Sequence, residues 1–310
     1  MEPLEPNTVN LPPAEITRQP PSPTLFQRIH PALYALLSLA IVFFLYQIVG
    51  GGLTLLVSGG RVTENNVSLM RWATLIGQLV FILVPTIILT RLRHREIRRF
   101  FRFHIPDIRD VVVTIVAVFA LQQMLVGYMA VQDLIPWPTE IQRLIDLVKK
   151  LYEETYRLLV LAHSPFEFLG VVIIVALVPA VVEELLFRGL VQRNLEDAAG
   201  GMPGAVLAGL VFGAYHLIPT SFVPLAILGI YFGFVVVRTQ NITVAMAAHF
   251  FNNFLACVAM YMQLDEDFVV VSPTGGATAG AMAANFTLFC VVFLAATLYL
   301  VYRTRPQQIE

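Results

Sequence analysis

Charge is scarce in this sequence. Of 310 residues only 20 are Lys or Arg and 21 are Asp or Glu, while 57% are hydrophobic, more than one soluble core and its surface accommodate. A lipid-embedded chain is what that composition leaves. A net charge of −1 and the lack of a single basic patch exclude nucleic acid as a partner. Cysteine is nearly absent as well. Cys257 and Cys290 lie in apolar runs without CxxC spacing, which excludes a disulfide framework, a redox pair and a cysteine metal cluster. Also missing is a positive segment leading into a short apolar stretch. Residues 1–30, with seven prolines, therefore read as a disordered cytoplasmic tail rather than a signal peptide.

Long apolar stretches are present in their place. A hydrocarbon layer of about 30 Å takes about 20 helical residues, and lipid leaves a chain only continuous helices as spans of this kind. Spans are expected near 32–57, 69–90, 109–132, 166–190, 203–220, 221–238, 242–263 and 284–302. The fold class is all-α, a polytopic transmembrane helix bundle of about eight spans. Arg91, Arg93, Arg95, Arg98, Arg99 and Arg102 form the densest basic loop and place it in the cytoplasm. Eight crossings then put both termini on that side, with Asp265, Glu266 and Asp267 outside. The same arginines would also suit anionic lipid headgroups. Between the third and fourth spans, Ile141, Leu144, Leu147, Val148 and Leu151 alternate with Asp146, Lys149, Lys150 and Glu153 as an amphipathic helix on the outer interface does. The chain divides into a tail (1–30), N-terminal spans (31–134), the interfacial helix (135–165), a polar-bearing core (166–263), and a loop with the last span and a short tail (264–310).

Ionisable groups inside spans cost about 2.5 to 3.5 kcal/mol each on insertion scales, so each one needs a reason. They concentrate in the core: Glu183, Glu184 and Arg188 in VPAVVEELLFRG, His216 in LVFGAYHL, and His249, Asn252 and Asn253 in AAHFFNNF. Residues four apart share a helix face, whereas neighbours diverge by about 100°. Glu184 is expected to face Arg188 as a buried pair, leaving Glu183 without that partner and suited to act as a base. His249 and Asn253 line one face and can hold a developing oxyanion. Gly209 with Gly213, and Gly229 with Gly233, are small-residue stripes that let helices approach closely. At about 1.5 Å per residue, Glu183 and His249 come out about 10 to 12 Å deep and His216 and Asn253 about 18 Å, within reach of one cavity opening toward the cytoplasm.

The segments EExxxR, FxxxH and HxxxN, read here as Glu183 to Arg188, Phe212 to His216 and His249 to Asn253, resemble the CPBP family of intramembrane proteases. That family includes the CAAX prenyl endopeptidase Rce1 and bacterial lysostaphin-resistance-type and bacteriocin-immunity proteins. The resemblance covers about residues 166–263. It implies an intramembrane endopeptidase of glutamic type, in which Glu183 assisted by His216 activates water. His249 and Asn253 would stabilise the oxyanion, and Glu184 with Arg188 would keep the site in shape. It further implies a membrane-associated peptide or protein substrate and a bilayer as partner; the proline-rich tail and short loops of this chain fit a bacterial member, with the inner membrane of the cell as location. No cofactor is expected. The alternative is a zinc metalloprotease with Glu183, His216 and His249 as ligands, though HExxH is absent. Two other functions fit the same residues: a non-catalytic scaffold or immunity protein, and a proton-coupled transporter, which should show repeat symmetry.

Overall fold

A computed structural model describes residues 24–60, 62–263 and 279–304. Nine long helices run through these residues: α1 (Pro31–Ser58), α2 (Val67–Arg93), α3 (Ile108–Gln132), α4 (Thr139–Val160), α5 (Pro165–Ala199), α6 (Gly201–Tyr215), α7 (Phe222–Thr239), α8 (Ile242–Tyr261) and α9 (Ala279–Arg303). No strand occurs among the described residues. Among the described residues, seven helices are long and apolar enough to cross a membrane. The expected eighth span, 203–220, stops early as α6, because Leu217 takes a left-handed φ of 57° and Pro219 begins the next turn. Proline disfavours helix in the residue before it and lacks the N–H a helix needs. The 15 residues of α6 reach about 22 Å, short of a full crossing. It still pairs with α7 as a hairpin, so successive helices keep alternating between the two ends of the bundle.

One end carries arginine. Arg93 at the end of α2 donates to the carbonyls of Phe26 and Ile29 ahead of α1. Arg303 at the end of α9 meets Asp107 and Asp110 ahead of and within α3. The N-terminal tail was expected to extend to residue 30, but Thr24 caps a helical turn, Leu25–Arg28, through a reciprocal bond with Gln27, and Gln27 donates to the Arg93 carbonyl at 2.9 Å. The expected Asp265 to Asp267 loop and the proline pairs lie outside the described residues. At the opposite end, α4 is strongly two-faced, as expected. Buried Arg71 of α2 fastens its C-terminal end, donating from Nε to the Leu159 carbonyl at 2.8 Å and from a terminal nitrogen to Glu167 at 2.6 Å.

Two prolines shape the helices that carry the site. Wide, π-helical turns at Gln78–Leu83 and Val172–Leu177 sit just before Pro85 and Pro179. A proline ring collides with the carbonyl four residues earlier, and widening the turn relieves that collision without a break. Pro179 can offer no N–H to the Val175 carbonyl, and that carbonyl accepts from Asn253 Nδ2 at 3.5 Å instead.

The glycine stripes pack against each other. A Cβ on Gly209 would stand 2.3 Å from the Ile230 nitrogen, and one on Gly229 would stand 2.9 Å from the Gly209 carbonyl oxygen. Only glycine permits this crossing of α6 and α7.

Candidate active site

Helix α5 places Glu183 and Glu184 in different surroundings. Glu184 is fully buried and lies 3.2 Å from the Arg188 guanidinium, itself fully buried. A charge removed from water this completely persists only when paired and hydrogen-bonded. Arg188 also donates to the Gly229 carbonyl at 2.9 Å. The rings of Phe212 and Phe232 lie 4.8 and 5.4 Å from its charge centre, so the faces of two aromatic π-systems meet the cation. The expected brace is present. Glu183, turned away from it, keeps 18% of its side chain accessible and lines a cavity of about 390 Å³.

His216, His249, Asn252 and Asn253 line the same cavity, so the six expected site residues form one constellation with two layers. His249 bridges the glutamates. Its Nδ1 is 2.9 Å from Glu184 Oε1, and its Nε2 is 4.0 Å from Glu183 Oε2. The ring stacks on Phe232 at 5.1 Å between centroids, and the carboxylate, acting as acceptor, fixes Nδ1 as the N–H that faces it. His216 sits at the C-terminal end of α6 rather than within a span, because the helix ends there. Its Nδ1 is 2.8 Å from the Phe212 carbonyl, which can only accept, so Nε2 is the nitrogen left for the cavity. Phe212 lies edge-on beneath the His216 ring at 4.8 Å. Asn253 is held on both sides, accepting from Asn252 Nδ2 at 3.2 Å and donating to Val175.

The direction of opening differs from the sequence expectation. Beyond Glu183, toward the arginine-bearing end, Glu184, Leu186, Phe187, Arg188 and Leu190 are essentially sealed. On the other side the cavity is walled by Tyr152, Tyr156, Leu159 and Val160 of α4 and by Ile218 and Ser221 between α6 and α7. The arginine-bearing side of the cavity is thus closed, and α4 forms its wall on the other side. The charge on Glu184 and Arg188 needs a dry surround, and the aromatic plug that supplies it closes the arginine side.

Sequence reasoning missed three elements. Tyr46 and Gln78, from α1 and α2, line the cavity, and so do Tyr152 and Tyr156 of α4; the first two are uncharged polar groups in apolar runs and the tyrosines sit in a charged amphipathic run, so none stands out in sequence. The third is a polar ladder continuing the four-residue spacing of Glu184 and Arg188. Gln192 donates to the Gly233 carbonyl at 3.1 Å and to Glu196 at 2.8 Å, and Glu196 takes Arg102 through two contacts of 2.6 and 3.1 Å. The Arg102 carbonyl accepts from Ile242 N at 3.2 Å, so this joint ties the start of α8, which carries His249, to α5. Arg102 holds a left-handed φ of 55° to make it, a conformation non-glycine residues adopt at a cost. The spacing i, i+4, i+8, i+12 was the available signal.

Among the described residues no set of three or more His, Cys, Asp and Glu converges as a metal ion requires.

Compared with known proteins, residues 165–255 match a family model described as type II CAAX prenyl endopeptidase Rce1-like. No curated protein and no solved structure matches. The matched segment carries all six expected site residues, so residues 165–255 are similar to the Rce1-like family of type II CAAX prenyl endopeptidases.

Proposed function

We propose that the chain is an intramembrane endopeptidase of glutamic type acting on membrane-associated peptides or proteins. The observation that carries this reading is Glu183: a carboxylate without an arginine, facing a cavity it shares with two histidines, next to a glutamate that has one. Water held between Glu183 and His216 Nε2 gives a proton to Glu183 as its oxygen attacks the peptide carbonyl. The oxyanion forms toward His249 Nε2 and the free amide hydrogen of Asn253. With Nδ1–H donated to Glu184, His249 can give a second hydrogen bond only as imidazolium. Collapse breaks the C–N bond, and Glu183 returns the proton to the departing amine. Arg188 touches no reacting atom; it fixes Glu184, which orients His249.

A peptide reaching this site passes Tyr152 and Tyr156, so segments lying at the interface on the α4 side are the substrate class the approach favours. Prenylated C-terminal peptides, the class in the family's name, are one such group. The chain's location follows as an integral membrane protein, with bacterial inner membrane and cytoplasmic termini as the finer reading.

Replacing Glu183 by Gln tests the reaction. Cleavage of a membrane-anchored reporter peptide by the purified protein is expected to fall by about 100-fold or more, the range general-base loss covers, with the melting temperature unchanged. A parent protein that cleaves nothing, together with a Glu183→Gln protein that melts lower, would assign the cluster to a scaffold or immunity protein. Proton-driven solute uptake into vesicles would assign it to a transporter.

A further inference from the structure

The arginines at the basic end divide into two groups. Arg93 is bonded to the Phe26 and Ile29 carbonyls, Arg102 and Arg193 to Glu196, Arg238 to Val301 and Thr304, and Arg303 to Asp107 and Asp110. Those side chains are committed to holding helices together. Arg91 and Arg98 are exposed and have no ion pair or hydrogen bond to any described residue.

Both of these unpaired arginines line one cleft of about 480 Å³. Its other walls are Ile87, Ile97, Phe101, Phe103 and Leu185, apolar throughout, with no acidic residue among them. Arg91 lies in the last turn of α2, at the end of a helix long enough to span a bilayer, which is the level where hydrocarbon gives way to water. The back wall is fixed. A Cβ on Gly189 would stand 2.7 Å from the Phe101 ring, so α5 receives that ring in direct contact one turn beyond Glu184.

Two guanidinium groups without counterions above an apolar slot are complementary to one chemical class, an amphiphile with an anionic oxygen head. Guanidinium groups bind phosphate oxygens in pairs of parallel hydrogen bonds, and basic pockets between spans take anionic headgroups. An exposed arginine cluster alone would be only the usual bias of membrane loops. The slot is what distinguishes Arg91 and Arg98 from Arg95, which is exposed and is not among the residues lining it.

We propose that this cleft binds one anionic phospholipid, with the phosphodiester on Arg91 and Arg98 and an acyl chain along Ile87, Phe103 and Leu185. The site is separate from the cavity holding Glu183 and does not depend on the protease reading. The full chain, stripped of lipid in detergent, is titrated with phosphatidylglycerol, with phosphatidylcholine of the same acyl chains, and with inorganic phosphate. Melting temperature and native mass spectrometry are the readouts.

Phosphatidylglycerol is expected to raise the melting temperature saturably and to stay bound, whereas the other two ligands do neither. The Arg91→Gln, Arg98→Gln double variant should bind it about thirtyfold more weakly, about fivefold for each arginine near the surface. The Arg95→Gln, Arg99→Gln double variant should bind it as the parent does. If the first double variant does not fold, Ile87→Trp keeps both charges and fills the slot, and should weaken long-chain phosphatidylglycerol while a short-chain form binds unchanged. Equal responses to both lipids, a response to inorganic phosphate matching that to phosphatidylglycerol, or undiminished affinity in the Arg91, Arg98 variant would overturn the proposal.

Discussion

A step of one residue along a helix turns a side chain by about 100°, and for Glu183 and Glu184 that step separates an accessible carboxylate from one sealed against Arg188. Titration at single residues has a second consequence outside the spans. His94, just past α2, stacks on Phe100 with ring centroids 3.6 Å apart, and its Nε2 is buried without a hydrogen-bond partner. Burial, with Arg93 and Arg193 nearby, lowers its pKa from the ordinary 6.5 to about 4. The folded protein thus binds this proton less readily than the unfolded chain, so its contribution to stability is complete above about pH 6.5 and is lost as the pH falls toward 4. Melting curves of the parent and of His94→Gln between pH 7.5 and 4 check this. The parent should lose more stability than the variant across that window, and parallel curves would refute the assignment.

Helix pairs set the next scale. The α6–α7 crossing depends on backbone contact at Gly209, Gly213 and Gly229, and it delivers the Gly229 carbonyl to Arg188 and the end of α6 to the cavity. Gly209→Leu must force the pair apart. The expected loss is about 1 to 3 kcal/mol, as for other overpacked contacts, with activity falling alongside because His216 and the Arg188 brace move together. Gly201→Ala is the control. Its added methyl meets only Val237 Cγ1, at 3.5 Å, ordinary contact, and its melting temperature should match the parent's. Thermal unfolding followed by circular dichroism distinguishes the two. Prolines act at the same scale, because the wide turn before Pro179 lets α5 continue and leaves the Val175 carbonyl for Asn253.

At the scale of the whole molecule the two ends differ in chemistry. Arginines with their carboxylate and carbonyl partners gather at one, while amphipathic α4, with Lys149 and Lys150, covers the other and forms the outer wall of the cavity. The alternation of helices requires these ends to face opposite compartments. With Cys257 and Cys290 replaced by Ala, a single cysteine at Arg98 and one at Glu140 should react with a membrane-impermeant thiol reagent from opposite sides. The arginine side is expected to be cytoplasmic. Labelling of both from one side would contradict the bundle's alternation.

Much of this was legible in the chain itself. Lipid forbids unpaired backbone and makes buried charge expensive, so apolar runs of span length mark helices, and the few ionisable residues within them mark the site. For that reason seven spans, the Glu184–Arg188 pair, and the gathering of Glu183, His216, His249 and Asn253 all follow from spacing. The early end of α6, the role of His249 between two glutamates, the Arg102 to Glu196 joint and the side from which the cavity opens do not. Each depends on which helix lies against which, and on where aromatic rings exclude water. Pairwise packing of that kind leaves no periodic trace along a single chain.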